Sequence, residues 1–380
     1  MRIGINLLQF RPGETGGSEI YTRGIIGSLS EVDKKNEYVL ICNSSNYKAI
    51  TPPSDNFSIF VIPETPNKNF IREIPLLNKS GSISKKIESL KLDVIHFPFS
   101  FMFPLKKWEK SILTMYDLQH EYMPQNFSIT QLVIRRKNYP ESIKNSDLVI
   151  AISKFTKENI IEKYHTDLDK IIVNYIGYAK EFEKKDKEKK IKIKEKFNLS
   201  ERYIFYPAAT WHHKNHLKLL EAFRKIKREE DSNINLVFSG TKMNAQPLID
   251  NKIKDLGLTD CVLQLGRLNF EDLVHIMQGA HVLAFPSLFE GFGIPVIEAM
   301  ASRVPVACSN TTSLPEIAKG ASIMFDPNDS NEIANAITRI LNDNKLRKKL
   351  ITKGNERIKE FTWKNIAIKT LRYYEKVAKI

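Results

Sequence analysis

"HVLAFPSLFEGFGIPVIEAMASRVPVACSN", residues 281–310, reads as a strand, a loop, a helix and a second strand. The runs "HVLAFPS" and "VPVACSN" have the length and apolar character of buried strands, and Pro295 marks a helix start, where a missing N–H costs nothing. The loop carries Glu290, and Glu298 falls about one turn into the helix. On one unbroken helix that separation would put the second carboxylate about 12 Å along the axis and roughly 80° around it, too far for a tight acid–base pair. Broken by the loop, the two glutamates instead flank a helix N-terminus. There the backbone N–H groups near Phe292, Gly293 and Ile294 gather, and an anion can be held. Gly291 and Gly293 allow the backbone to approach a ligand closely. Carboxylates beside an anion site make chemical sense when each accepts hydrogen bonds from hydroxyls instead of touching phosphate. A sugar nucleotide offers that set: ribose diol, diphosphate, sugar hydroxyls. The plainer alternative has Glu298 complementing the helix dipole and Glu290 on a surface loop.

The same pattern repeats outward in both directions. "RIGINLL", "YVLICN", "SIFVIP", "DVIHFP", "SILTMYDL", "DLVIAIS" and "KIIVNYIG" precede a lysine-dense stretch, residues 180–197, and "RYIFYPAAT", "INLVFSG", "CVLQLG" and "ASIMFDP" complete the series after it. Near-continuously apolar strands alternating with helical patterns predict parallel sheets covered on both faces. The expected architecture is α/β: two doubly wound Rossmann-like domains in series, residues 1–180 and 201–360, joined by a surface linker at 181–200. A last helix, 361–380, is expected to return to the first domain. In open sheets of this kind ligands sit outside the carboxyl ends of the strands, so a cleft between the two domains is the expected site.

A chain of 380 residues suits two domains, and 42% apolar with 27% charged residues is a globular composition without an apolar run of membrane-span length. The first residues lack a secretory signal pattern, so a cytoplasmic protein is expected. Cys42, Cys261 and Cys308 are widely spaced and odd in number, which predicts reduced thiols and no disulfide or zinc framework. A net charge of +14 favours phosphate-bearing small molecules, anionic lipid or nucleic acid without choosing among them. "HHKNH", residues 212–216, lacks metal-site geometry, and "HTDLD", residues 165–169, reads as a turn and helix cap; no metal is expected. Ser153 fits a helix N-cap, and no GxGxxG follows the first strand.

Glu290-Gly-Phe-Gly-Ile-Pro-Val-Ile-Glu298 resembles the signature of glycosyltransferase family 4, retaining enzymes of the two-domain GT-B fold. "GETGGSEIY", "DLVIAISKFTKENIIEKY", "YPAATWHHKNHLKLLEAF" and "SLPEIAKGASIMFDP" resemble further family segments in the same order. The resemblance implies a bacterial polysaccharide-type enzyme. It would move a hexose such as mannose from a UDP- or GDP-linked donor to a saccharide or lipid-linked acceptor, with no cofactor, no metal and no nucleic acid partner. Glu290 would contact the transferred sugar, and the Phe292, Gly293 and Ile294 amides would hold sugar or diphosphate. Glu298 would take the ribose diol, and Gly16 and Gly17 the distal phosphate. Lys214 would neutralise the diphosphate as the glycosidic bond breaks. Leu268 and Arg267 lie where the base would be selected.

Two departures stand out. Many members carry an arginine about six residues before the lysine, where this chain reads Ala208-Ala209-Thr210; Thr210, His212 and Arg267 are the candidate replacements. Many carry a histidine where this chain has Tyr116, leaving Tyr116, Asp117 and His120 as acceptor-side or catalytic candidates. "FPFSFMFPLKKW", residues 97–108, and "RRKNY", residues 135–139, are the candidates for a peripheral contact with the inner membrane. A sugar-nucleotide epimerase on the same fold and a non-catalytic basic lipid- or nucleic-acid-binding protein are the rival readings.

Overall fold

The computed structural model describes residues 1–14, 16–63, 80–184, 186–229 and 233–380. The chain forms two compact units: Met1–Gly177 with Thr362–Ile380, and Tyr178–Phe361.

Among the described residues, the first unit has a seven-stranded sheet: β1 (Arg2–Asn6), β2 (Glu37–Asn43), β3 (Phe57–Ile62), β4 (Val94–Phe97), β5 (Ser111–Met115), β6 (Leu148–Ala151) and β7 (Ile171–Val173). The order is β3-β2-β1-β4-β5-β6-β7 and every pairing is parallel. All residues of β4, β5 and β6 are buried, as helix-covered parallel strands require. The order reverses between β1 and β4, and the Gly16–Gly17 turn follows β1 at that switch point.

The carboxyl-terminal helix, Trp363–Ala378, is part of this unit. Its Trp363 indole lies against Gly24 and Gly177, where a Cβ on either glycine would overlap the ring. The Tyr374 hydroxyl is 2.8 Å from His96 Nδ1, and His96 Nε2 is 2.8 Å from the Thr114 hydroxyl. Asn174 donates to Thr370 at 2.9 Å.

The second unit has β8 (Arg202–Pro207), β9 (Ile234–Ser239), β10 (Val262–Gln264), β11 (Val282–Phe285), β12 (Val306–Ser309) and β13 (Ser322–Phe325), all parallel, in the order β10-β9-β8-β11-β12-β13. Its switch point lies between β8 and β11. Residues 181–200, expected to be a linker, are packed into this unit instead. Phe182 is 1% exposed, the Gln278 amide donates to the Phe182 and Lys184 carbonyls, and Lys196 pairs with Asp272 at 2.7 Å. No helix among the described residues is long and apolar enough to cross a membrane.

Candidate active site

The loops that leave β8 and β11, the two strands at the switch point of the second unit, are tied together by part-buried polar contacts. After β8 the chain passes through a short 3-10 turn, His212–Lys214, to Asn215 at φ 60° and the helix His216–Glu229. The Asn215 amide donates to the carbonyls of Pro286 at 3.1 Å and Pro327 at 2.8 Å. The Leu288 N–H donates to the His213 carbonyl at 2.8 Å, and the Tyr206 hydroxyl donates to the Lys214 carbonyl at 2.6 Å. Glu290 is held at its backbone by the Thr312 and Ser313 hydroxyls, at 3.2 and 2.9 Å. The outcome is an ion pair: Lys214 Nζ lies 2.6 Å from Glu290 Oε1, with the side chains 19% and 12% exposed.

Three residues past Glu290 the chain turns into the helix Ile294–Ala301. Its cap, Gly293, has φ 97°, and a Cβ there would fall 2.6 Å from Leu314 Cδ2, so glycine is demanded twice over. Glu298 is 7% exposed, and burial pushes its carboxyl up to about 8. Among the described residues its carboxyl has no hydrogen bond or ion pair. A buried acid with no partner is costly, and such groups concentrate at functional sites.

Arg267 and Leu268 follow Gly266 on the loop after β10. The Gly240 N–H donates to the Gly266 carbonyl at 2.8 Å, and a Cβ on Gly240 would overlap the Ala208 carbonyl, so the loops after β8, β9 and β10 abut on one sheet edge. Thr210, considered as a replacement for the arginine, is committed elsewhere. Its hydroxyl oxygen accepts from the Met243 N–H at 2.6 Å and its carbonyl from the Ala245 N–H at 2.9 Å. A neutral hydroxyl so engaged shapes the loop and supplies no charge. His212 is exposed, and burial depresses its neighbour His213 to about 3, which leaves that imidazole neutral.

In the first unit Gly16 caps the helix Gly17–Val32 at φ 53° and ψ −122°, a conformation that favours glycine, with open space where a Cβ would stand. Thr15, just before it, lies outside the described residues. Tyr116 follows β5 and is half-buried; its hydroxyl donates to the Pro98 carbonyl at 2.7 Å and its ring meets Tyr21 edge-on at 5.8 Å. The Asp117 carboxylate accepts from the Gln119 N–H at 2.9 Å.

His120, expected as a catalytic histidine, lies in the core of the first unit. It is 0% exposed, packs edge-on against Tyr139 at 4.7 Å, and is depressed to about 3 by burial and by Arg135 and Arg136. In the aromatic segment 97–108, Phe97, Phe99, Met102 and Trp108 are buried, while Phe101, Phe103 and Leu105 are half-buried and Lys107 is exposed.

Residues 15–181 match the family model described as Glycosyltransferase Family 4, and residues 187–357 match that described as Glycosyl transferases group 1. The chain belongs to glycosyltransferase family 4. This glycosyltransferase is 26% identical over 313 residues to the O-antigen chain mannosyltransferase B of Escherichia coli, covering 80% of this chain and 82% of that one. It is 31% identical over 230 residues to the O-antigen chain mannosyltransferase RfbU of Salmonella typhimurium, covering 60% of each. Among solved structures, Anabaena HepE in complex with UDP and glucose superposes with a TM-score of 0.77 at 16% identity over 100% of both chains. A glycosyltransferase from Rickettsia africae does so at 0.75, with 20% identity, over 100% of this chain and 98% of that one. These likenesses establish the GT-B fold, with its two Rossmann-like domains.

For the glycosyltransferase, sequence reasoning named Lys214, Glu290 and Glu298 as candidates but not the residues that hold them in place. Tyr206, Asn215 and Ser313 lie inside segments that resemble the family, but the sequence assigns them no separate part. Only the loop lengths after β8 and β11, strands adjacent at a switch point, could have hinted that these loops meet.

Proposed function

We propose that this enzyme is a retaining, metal-independent transferase that moves mannose from a UDP- or GDP-linked donor to a hydroxyl of a saccharide or lipid-linked saccharide. The observation that carries the reading is the Lys214–Glu290 pair at the switch-point edge of the second unit, followed on the next helix by a buried, unpartnered Glu298. In the free enzyme each member of the pair neutralises the other. When donor enters, the diphosphate takes Lys214 and the sugar hydroxyls donate hydrogen bonds to Glu290, so the lysine keeps a counter-charge and the carboxylate keeps donors. A fixed ammonium at the leaving diphosphate offsets the charge that develops as the glycosidic bond breaks, the role a divalent ion plays elsewhere. The N–H groups at the start of the helix Ile294–Ala301 add a positive dipole end. Glu298 accepts from the ribose diol, whose hydroxyls supply the hydrogen bonds its carboxyl lacks.

Retention then follows from departure and attack on one face of the sugar, with the acceptor's proton passing to the departing diphosphate oxygen. The names of the two bacterial relatives favour mannose, and a saccharide acceptor in polysaccharide synthesis agrees with them. A panel of nucleoside diphosphate sugars tests the reading by thermal stabilisation and slow donor hydrolysis. A mannose donor should raise the melting temperature and be hydrolysed; stabilisation by none of the panel would sink the assignment.

A further inference from the structure

The amino-terminal edge of the second unit's sheet gathers cations with little to balance them. β8 begins at Arg202, and beside it His281, directly before β11, donates its N–H to the Tyr203 carbonyl at 2.9 Å. Arg202 reaches the Leu341 carbonyl at 3.1 Å, near the end of the helix Ser330–Asn342. Arg347, in the first turn of the next helix, Asn344–Arg357, reaches back to the His281 carbonyl at 2.7 Å. The two half-buried guanidinium groups are thus drawn to one place from opposite sides. Each bonds a carbonyl, and among the described residues neither forms an ion pair. Burial and the Arg202 charge hold Arg347 below the usual arginine range. Burial, with Arg347, Arg202 and Lys194, pushes His281 down to about 4 against the pull of Glu201, and its buried Nδ1 has no hydrogen-bond partner among the described residues. Two carboxylates stand near and are engaged: Glu201 pairs with Lys194 at 2.8 Å, and Asp343 accepts from the Leu346 N–H at 2.9 Å.

We propose that Arg202 and Arg347 form a binding site for a phosphate-type oxyanion, either inorganic phosphate or the phosphate of a small monoester. Like charges held together half-buried are costly, and an anion between them turns repulsion into attraction. The unused N–H groups of two planar forks suit the oxygens of a tetrahedral anion. The site lies at the far ends of β8 and β11 from the loops that carry Lys214 and Glu290, roughly 13–20 Å away along the strands. It therefore does not depend on the proposed transfer reaction. Occupancy ties the starts of two central strands to the junction of two helices, so it stabilises the folded unit by mass action. A bound anion also cancels the repulsion on His281, whose ring then takes up a proton more readily.

Melting curves of the full chain, with sodium phosphate or glycerol 3-phosphate replacing chloride at constant ionic strength, test the site. Phosphate should raise the melting temperature of the native chain and, equally, of Lys214→Ala, which lacks the cation of the transfer site. Arg202→Gln/Arg347→Gln should weaken the apparent phosphate affinity at least about tenfold. Stabilisation by phosphate alone assigns the site to the free ion, and stabilisation by both probes assigns it to monoesters as well. Because Arg347 also anchors its helix, a second measurement reads the native chain. The His281 ring signal in NMR spectra, identified by its absence from His281→Gln, should shift with phosphate, and its titration midpoint should rise. A His281 signal that phosphate leaves unmoved overturns the proposal. So does stabilisation no greater than chloride gives, undiminished phosphate affinity in the double arginine variant, or stabilisation that Lys214→Ala abolishes, since the anion would then sit at the transfer site.

Discussion

Glu298 is where the sequence spoke plainly and still withheld something. Its spacing from Glu290 marked it as a hydroxyl clamp, but the degree of burial depends on packing that no local pattern encodes. The raised carboxyl gives a signed prediction. Between its unfolded value of 4.5 and its folded value of about 8 the native chain binds the extra proton, so stability falls as pH rises through that window and is level on either side. Glu298→Gln removes the ionisable group. Melting curves at pH 5 and pH 8 should show the variant gaining on the native chain at the higher pH, by roughly a few kcal/mol. A constant difference between the two curves would mean the carboxyl is not buried and unpaired. His120 shows the opposite limit. A histidine after a strand end looks like chemistry in one dimension, yet the ring turns inward because Tyr139 and Tyr164 supply an aromatic pocket from distant elements.

At the scale of elements, strand–loop–helix alternation was readable because buried parallel strands leave unbroken apolar runs. The helix start near Pro295 was readable because proline and glycine punctuate the backbone. Residues 181–200 were misread because lysines dominate their composition while Phe182 and Ile193, the residues that do the packing, are few. The contact between the loops after β8 and β11 was not readable at all, since Asn215 binds carbonyls 71 and 112 residues away. Asn215→Ala leaves two carbonyls without their donor and lets Lys214 drift from Glu290. Turnover should fall about tenfold or more, since small misplacements are expensive in catalysis, whereas Asn215→Asp, which keeps shape but loses the donor, should do no better. Native turnover in either variant would show that the clamp does not position the lysine.

For the molecule as a whole, two Rossmann-like units could be inferred from the series of strands, and the family assignment from one glutamate motif with supporting segments. Under the proposed reading Lys214, paired with Glu290 at 2.6 Å, is the cation at the leaving diphosphate, while Thr210, at the place where many relatives carry an arginine, is engaged with the Met243 and Ala245 N–H groups. That makes Lys214 the most exposed point of the account. Steady-state transfer from the preferred donor by Lys214→Ala, with donor affinity measured separately, addresses it directly. A fall in kcat of about 10²–10³, larger than any loss in donor affinity, is the predicted result; a kcat within about twofold of the native enzyme would contradict it.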